Sequence, residues 1–465
     1  MKNHTVLISI FSLLYFLVSP LVCAESPIKK NLAFPSAQGF GQYAQGGKAG
    51  SVYIVNTLAD NPENPIKGSL RHALKRKYAR TIVFSVSGVI HLKAPIIIKS
   101  GYLTIAGQSS PGGITIAGAP IKVSNTEHVI IRYMRFRLGT FKLAEDSLSI
   151  RNSSDIIVDH CSFSWAVDEV ASFYNNTRFT LQHSIIAYSL NDSIHPKGKH
   201  GYGGIWGGNQ ASFIYNVIAN HNSRTPRING HRLKPPYPQE FEFVEIANNV
   251  IFNWGSNNIY GSENGRFNLI NNYYKPGKNS KAEQFIDIWF SPNLTIQQAF
   301  IHGNFYQGNS AFSEKNRLGV KYRTAKKSNK QNIPKGSPLL SSKALFPAEE
   351  PNYIHHFRSA KQAFETLIVN RDVGANRNAN GEFIDNVDQL ILQQISDEKQ
   401  VKQAELIDHE FEMIISWDDY QKQFTHFAEI IDKNQDGISD VWANNNPNIR
   451  SNINNYLASL IKINH

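Results

Sequence analysis

Two stretches of the sequence hold residue types that could do chemistry together. Acidic pairs stand at Glu145-Asp146, opening the strand-like SLSI, and at Asp168-Glu169, just after Phe163-Ser164-Trp165. They are about one unit of the repeat described below apart, so Asp146 and Asp168 can lie side by side on adjacent turns. There they could offer oxygen ligands to a hard cation such as calcium. A solvated acidic rim is the alternative, because paired acids are common on surfaces.

The second stretch is basic. Ser193 to Gln239 contains no Asp or Glu, yet holds Lys197, Lys199, Arg224, Arg227, Arg232, Lys234 and four His. In HPKGKHGYGGIWGG, from His195 to Gly208, the glycines allow sharp turns or close approach of backbone to a ligand, and Trp206 could stack on a sugar face. In NSRTPR, from Asn222 to Arg227, Pro226 biases Thr225 toward extended backbone, which would present Arg224 from an extended segment. Residues 224 and 227 have opposite parity along a strand, so Arg224 and Arg227 are expected to have different tasks. A lone Ser-Arg-x-Pro-Arg also reads as a surface or salt-bridged arginine, and no phosphate-binding Gly-x4-Gly-Lys-Ser/Thr loop is present. Near the carboxyl end, Asp432, Asn434, Asp436, Gly437 and Asp440 follow the Asp-x-Asn-x-Asp-Gly spacing of a calcium loop. Its twelfth position is Ala443 rather than Glu, so the reading is a structural loop of modest affinity or a simple acidic turn.

Short β-rich segments position these residues. IIRYMRF, IVDHCSF, TLQHSII, FIYNVIA, IANNVIF, LINNYYK and FIHGNFY align on Tyr133, His160, His183, Asn216, Asn249, Asn272 and Asn304, with spacings of 27, 23, 33, 33, 23 and 32. Such units are too small to stand alone, and stacked coil on coil they predict an all-β parallel β-solenoid with asparagine ladders at its turns. A sandwich would show even spacing and hairpin turns between the strands. Chemistry then belongs to insertions along one side of the stack.

The 465 residues carry 48 Lys+Arg and 37 Asp+Glu, net +11, which favours an anionic partner. Lys2, His4, the apolar run Val6 to Val18 and Val22-Cys23-Ala24 read as a signal peptide over 1–24, leaving a secreted protein, extracellular or periplasmic, with no membrane anchor. Cys161 then has no partner and is expected to be a small buried apolar residue. Residues 346–465 hold 10 basic and 19 acidic residues, net −9, leaving residues 25–345 with 37 against 18, net +19. Between them Arg317 to Lys335 has seven basic residues and no acid, and reads as a solvated loop or linker. The expected organisation is a catalytic solenoid over 25–315, a basic linker over 316–345, and an acidic, partly helical extension over 346–465. Nucleic acid is not the expected partner of an exported chain without a reading-helix or zinc-finger motif.

From Ala33 to about Pro276 the chain resembles secreted pectate lyases of polysaccharide lyase family 1, in the bacterial branch with a long acidic tail. The strings that carry the resemblance are AFPSAQGFGQYAQGG, GSLRHA, RTIVFSVSGVIHL, LTIAGQSSPGG, VDHCSFSWAVDEV, HGYGGIWGG and SRTPR. It implies a right-handed parallel β-helix, polygalacturonate as substrate class, calcium as cofactor, and a monomer that cleaves by β-elimination. Carried over by position, Arg224 is the base, at the first Arg of the family's Arg-x-Pro-x-x-Arg pattern. Asn229 stands where the second Arg would be, so that contact is missing or supplied by Arg227 or Arg232. Lys197 matches the lysine that binds the substrate carboxylate, and Asp146 and Asp168 match calcium-binding acids. Ser172 stands where many relatives have another acid, which leaves the number of bound ions open, and Glu145 or Glu169 could compensate. The resemblance implies that removing the proton beside the carboxylate is eased by calcium and Lys197, and that Lys197, Arg227 and calcium depress the pKa of Arg224. The competing readings are a metal-free pectin lyase or a hydrolase on the same fold, and a polysaccharide-binding solenoid without turnover.

Overall fold

The computed structural model describes residues 31–48, 50–141, 144–290, 297–324, 328–347, 357–448 and 452–461, so the expected signal peptide lies outside the described residues. Each repeated segment holds two strands and the corner between them. In the first, Glu127–Arg132 ends, Tyr133 bends at φ +55°, and Met134–Arg137 begins. His160, His183, Tyr215, Asn248 and Asn271 take the same corner, all with positive φ.

Strand register corrects the expected alignment by one residue. Asp159 pairs with Gln182, Gln182 with Ile214, and Ile214 with Ala247, so Tyr133, His160 and His183 align with Tyr215 and not with Asn216. Two neighbouring stacks result. The rings of Tyr133, His160, His183 and Tyr215 lie over one another at 4.9, 4.8 and 5.2 Å. One residue on, the side-chain oxygens of Asn216, Asn249, Asn272 and Asn304 accept the N–H groups of Ser184, Asn216, Asn249 and Asn272 at 2.9–3.0 Å. These bonds satisfy buried amides that the corner leaves outside the strand ladders.

Three parallel ladders run along the stack. The first includes Ile121–Ser124, Leu148–Arg151, the start of Ala171–Gln182, Arg227–Ile228, Ile259–Gly261, Ile286–Trp289 and Val320–Arg323. The second runs from Ser51–Val55 through Glu127–Arg132 and Ser154–Asp159 to Gln298–His302. The third runs from Gly88–His91 to Phe305–Tyr306. Val320–Arg323 pairs in parallel with Ile286–Trp289, so the solenoid continues past 315 into the run expected to be a linker. Cys161 is a buried free thiol, pushed up to about 12 by burial.

Terminal segments cover the outer faces that the groove does not use. The strap around Phe34 to Gly47 lies on the second ladder, where Gly41 donates to the Thr180 hydroxyl at 2.9 Å and Ala33, Phe34, Ala37 and Ala44 pack on Ile130 and Ile157. A Cβ at Gly41 would stand 2.1 Å from the Ile156 carbonyl oxygen, so only glycine fits that approach. On the third ladder, Val217, Ala219, Val250 and Phe252 point outward and are buried by the helix Asn386–Ser396 through Val387, Ile391, Leu392 and Ile395. This double burial makes the strands nearly continuous apolar runs.

The acidic extension also brings charge to the solenoid. Asp385 pairs with Arg135 at 2.7 Å and with Arg137 at 2.8 Å, and Arg137 also reaches Asp388 at 2.8 Å, all out of contact with water. Asp372 meets His160 at 3.1 Å and His183 at 3.3 Å. The Asp432–Asp440 loop seats Ile438 in a cluster with Val83, Ala106, Tyr456 and Leu457. Asp432 accepts N–H bonds from Asp436 at 3.1 Å and Gly437 at 2.8 Å, while Asp440 accepts from Lys433 at 3.2 Å.

Candidate functional site

The groove lies where the first ladder meets the loops that enter it. Ser147 donates to the Val170 carbonyl at 3.3 Å and Glu169 donates to the Asp146 carboxylate at 3.3 Å, which sets Asp146 on the coil beside Glu169. Asp146, Asp168 and Glu169 each offer an oxygen within 4.8 Å of the others. Burial pushes the Asp146 carboxyl up to about 7; Arg151 opposes this, Asp168 adds to it, and the Ser172 hydroxyl opposes it with a hydrogen bond. Glu145, the outer member of its pair, is held by Lys122 at 2.8 Å. Sequence reasoning placed Asp146 and Asp168 together; Glu169, left open there, completes the cluster.

Arg224 reaches the same cluster from the far side. Its guanidinium forms an ion pair with Glu169 and lies 4.2 Å over the Tyr202 ring, while its buried Nε has no hydrogen-bond partner among the described residues. The side chain keeps 24% of its exposure, against 6% for that of Glu169, so the arginine opens to the groove. Arg224 is not presented from an extended segment as expected: its φ is +57°, in the left-handed region that costs a side-chain-bearing residue energy. The turn is fixed by close packing against the Gly203-Gly204 pair. Gly204 donates to the Arg224 carbonyl at 3.0 Å, and a Cβ on Gly203 would stand 2.4 Å from that oxygen.

Arg227 has surroundings unlike those of Arg224, which lies outside the strand and so is not related to it by parity. It sits in the short strand Arg227–Ile228, pairs with Glu263 at 2.6 Å, and lies 4.5 Å from the Trp289 ring with only 7% of its side chain exposed. Arg232 donates from Nε to the Asn229 carbonyl at 3.2 Å. Burial, then Arg227, lower its pKa, Glu263 opposes, and Arg224 adds to the lowering. Asn229 is fully buried and donates to Asn175 at 3.3 Å, which removes it from the groove surface. Lys197 is exposed on the 193–199 turn, its amide donating to His195 Nδ1 at 3.1 Å.

Trp206 does not face a sugar. It is 1% exposed, stacks on Phe213 at 4.5 Å and donates from its indole to the Ala171 carbonyl at 3.1 Å. Its register partner Ile228 also points into the core, so strand parity turns both inward. The aromatic residues at the groove are Tyr202 and Trp289, which sequence reasoning missed. Parity could have found Trp289: it pairs with Arg323, two residues beyond the outward row of Arg227, Tyr260 and Asp287. His195 and His200, with ring centres 3.4 Å apart, direct Nε2 atoms toward Asp168 at 3.8 and 3.9 Å.

No protein-family model matches the chain. A probable pectate lyase C of Aspergillus flavus is 36% identical over 289 residues, 60% of this chain and 60% of that protein. One from Aspergillus fumigatus is 31% identical over 370 residues, 76% of this chain and 78% of that protein. The chain thus spans about 60% of the length of the first relative and over three quarters of the second. Both relatives are fungal, so the expected placement in a bacterial branch gains nothing from them. The crystal structure of jun a 1, the major allergen from cedar pollen, is 18% identical with a TM-score of 0.48, covering 72% of this chain and 92% of that one; a likeness this loose carries no argument. Among the described residues no helix is long and apolar enough to cross a membrane.

Proposed function

The chain belongs to the pectate lyase family, and from that membership we propose that it is a secreted polysaccharide lyase cleaving polygalacturonate by calcium-assisted β-elimination, with Arg224 as the base. The observation that carries this reading is the meeting of Arg224 with the Asp146, Asp168 and Glu169 cluster in one groove. The donors fit calcium: all three are carboxylate oxygens within 4.8 Å of one another, as a hard cation prefers. Calcium bound there would neutralise a substrate carboxylate and so stabilise the negative charge that develops when the neighbouring proton leaves.

This chain's own groups do the rest. Arg224, in its neutral form, takes the C5 proton; the C5 electron pair forms the C4–C5 double bond, the C4–O bond breaks, and the leaving oxygen takes a proton from water. Guanidinium normally keeps its proton beyond pH 12, so the base must lose its anionic support. Glu169 is both the counter-ion of Arg224 and a member of the cation-binding set, so a Glu169 committed to the cation no longer holds Arg224 charged. Lys197, exposed at the rim, binds the substrate carboxylate. Arg227, tied to Glu263, supports the groove wall with its positive field and does not move to the reacting sugar.

By its spacing alone the loop of Asp432, Asn434, Asp436 and Asp440 would hold a second, structural calcium, and in this reading the chain acts as a monomer. The test is incubation with polygalacturonate, reading ultraviolet absorbance of the unsaturated product beside reducing ends. Elimination raises both signals, and a chelator abolishes both. Reducing ends without absorbance would mean hydrolysis, and absorbance indifferent to chelation would remove the metal from the reaction.

A further inference from the structure

The basic run from Arg317 to Lys335 takes no part in the reaction as proposed, yet among its described residues two strands are paired. Val320–Arg323 is the last parallel strand of the first ladder, and Gln331–Asn332 returns antiparallel beside it. Register puts Arg227, Tyr260, Asp287 and Lys321 in one row, and Trp289 beside Arg323 in the next outward position. At about 4.8 Å per strand, Lys321 stands about 14 Å along the groove from Arg227.

We propose that this hairpin extends the polymer groove, with Lys321 and Lys330 receiving carboxylates of uronate units several residues from the cleaved bond. The proposal rests on the pectate lyase reading and adds a chain-length preference to it. The single acid in the row, Asp287, is fully buried; Arg323 pairs with it at 2.6 Å and the Trp289 indole donates to it at 3.1 Å. Its charge is therefore neutralised inside the wall. Lys321 and Lys330 donate to neutral amides, Lys321 to Asn332 and Lys330 to Asn257 at 3.2 Å. Trp289, half-buried, has the Arg227 guanidinium at 4.5 Å and that of Arg323 at 5.6 Å over its ring, which keeps both arginines packed into the wall. Lys321 and Lys330, each held only by a neutral amide among the described contacts, gain from a polyanion, and a linear one running along the stack meets them in order.

The test compares the full-length protein with a Lys321→Gln/Lys330→Gln double variant, leaving Arg323 in place because it neutralises Asp287. On long polygalacturonate the variant is expected to show KM raised about three- to tenfold with kcat unchanged, since two exposed charge contacts are lost. On a trimer, too short to reach the hairpin from the reaction site, both parameters stay as in the wild type. The KM of the variant also depends less steeply on salt. Unchanged KM on the polymer, or an equal loss on polymer and trimer, overturns the proposal. Retardation of both proteins in a gel containing polygalacturonate gives a readout independent of turnover. If the wild type cleaves nothing, the functional reading fails, and equal mobility of the two proteins then overturns the hairpin separately. Matching far-UV circular dichroism and Tm establish that the variant is folded.

Discussion

Arginines meet carboxylates on two faces of the solenoid, and the two meetings are unlike. On the third ladder, Arg135 and Arg137 share Asp385 and Asp388 without contact with water, and Asp385 and Asp388 come from the acidic extension. Arg137 is held well above its ordinary pKa: burial opposes the charge, but Asp385, Tyr420 and Asp388 outweigh it. In the groove, Arg224 keeps a quarter of its exposure and has one counter-ion, Glu169, which it shares with a cluster of acids. The first arrangement has matched charges and acts as a joint. The second gathers three carboxylates within 4.8 Å, with Arg224 on Glu169 and Arg151 3.3 Å from Asp146, and such a cluster of oxygens suits a hard cation.

Breaking the groove pair gives the largest effect. Arg224→Ala is expected to lower kcat about 10³-fold, within the range for loss of a general base, while binding of polygalacturonate measured by gel retardation stays near that of the wild type. Near-normal turnover would remove Arg224 from the mechanism.

On the opposite face the same kind of change acts on stability. Asp385→Ala leaves Arg135 and Arg137 as buried charges short of a partner and should cost about 3–5 kcal/mol in denaturant unfolding, with little change in kcat for the folded fraction. Neutralising a groove acid should do the reverse. The Asp146 carboxyl is raised to about 7, so its ionised form is disfavoured by folding, and stability falls as pH rises from its unfolded value toward 7. Without calcium at pH 8, Asp146→Asn is therefore expected to stabilise by on the order of 1–3 kcal/mol. Destabilisation by both variants would erase the contrast.

A smaller effect concerns the clasp between the extension and the ring stack. Burial works against the charge on His160, but Asp159 and Asp372 outweigh it and raise its pKa to about 9. A raised histidine contributes stability that is complete below about 6.5 and lost as pH rises through 9. Asp372 is lowered: burial opposes, but His160 and His183 outweigh it, so its share is present above the ordinary carboxylate range and lost in acid. Hydrogen exchange at Gly374, whose amide donates to the His183 carbonyl at 2.8 Å, should quicken several-fold between pH 7 and 10 beyond its intrinsic rise, and Asp372→Asn should flatten that difference.

Much of this contrast was legible in the residues. Recurring β-rich segments with a polar residue at a comparable place announced the solenoid; their alignment missed the register by one residue because Tyr215 and Asn216 are both corner residues. Charge partition announced an acidic extension meeting a basic solenoid, but which arginine meets which acid depends on long-range docking that no local pattern encodes. In the groove, Asp146, Asp168 and Arg224 were found by motif. Trp206 was misplaced because glycine-rich neighbours suggested an open loop, whereas Ile205–Ile214 is one continuous strand whose parity turns the indole into the core. Glu169 could not be assigned from sequence, since only the Tyr202 bridge and the fold of Arg224 onto it reveal its partner.

If the clustered acids of the groove hold calcium as proposed, the reaction depends on that ion. The measurement that tests it most directly is the initial rate of unsaturated product formed from polygalacturonate as free calcium is varied, for the wild type beside Asp146→Asn. The rate of the wild type should start near zero in chelator and saturate with calcium, and the variant should need at least about tenfold more calcium to reach half its own maximum, as loss of a first ligand implies. A wild-type rate that does not change with calcium, or identical calcium curves for the two proteins, would contradict it.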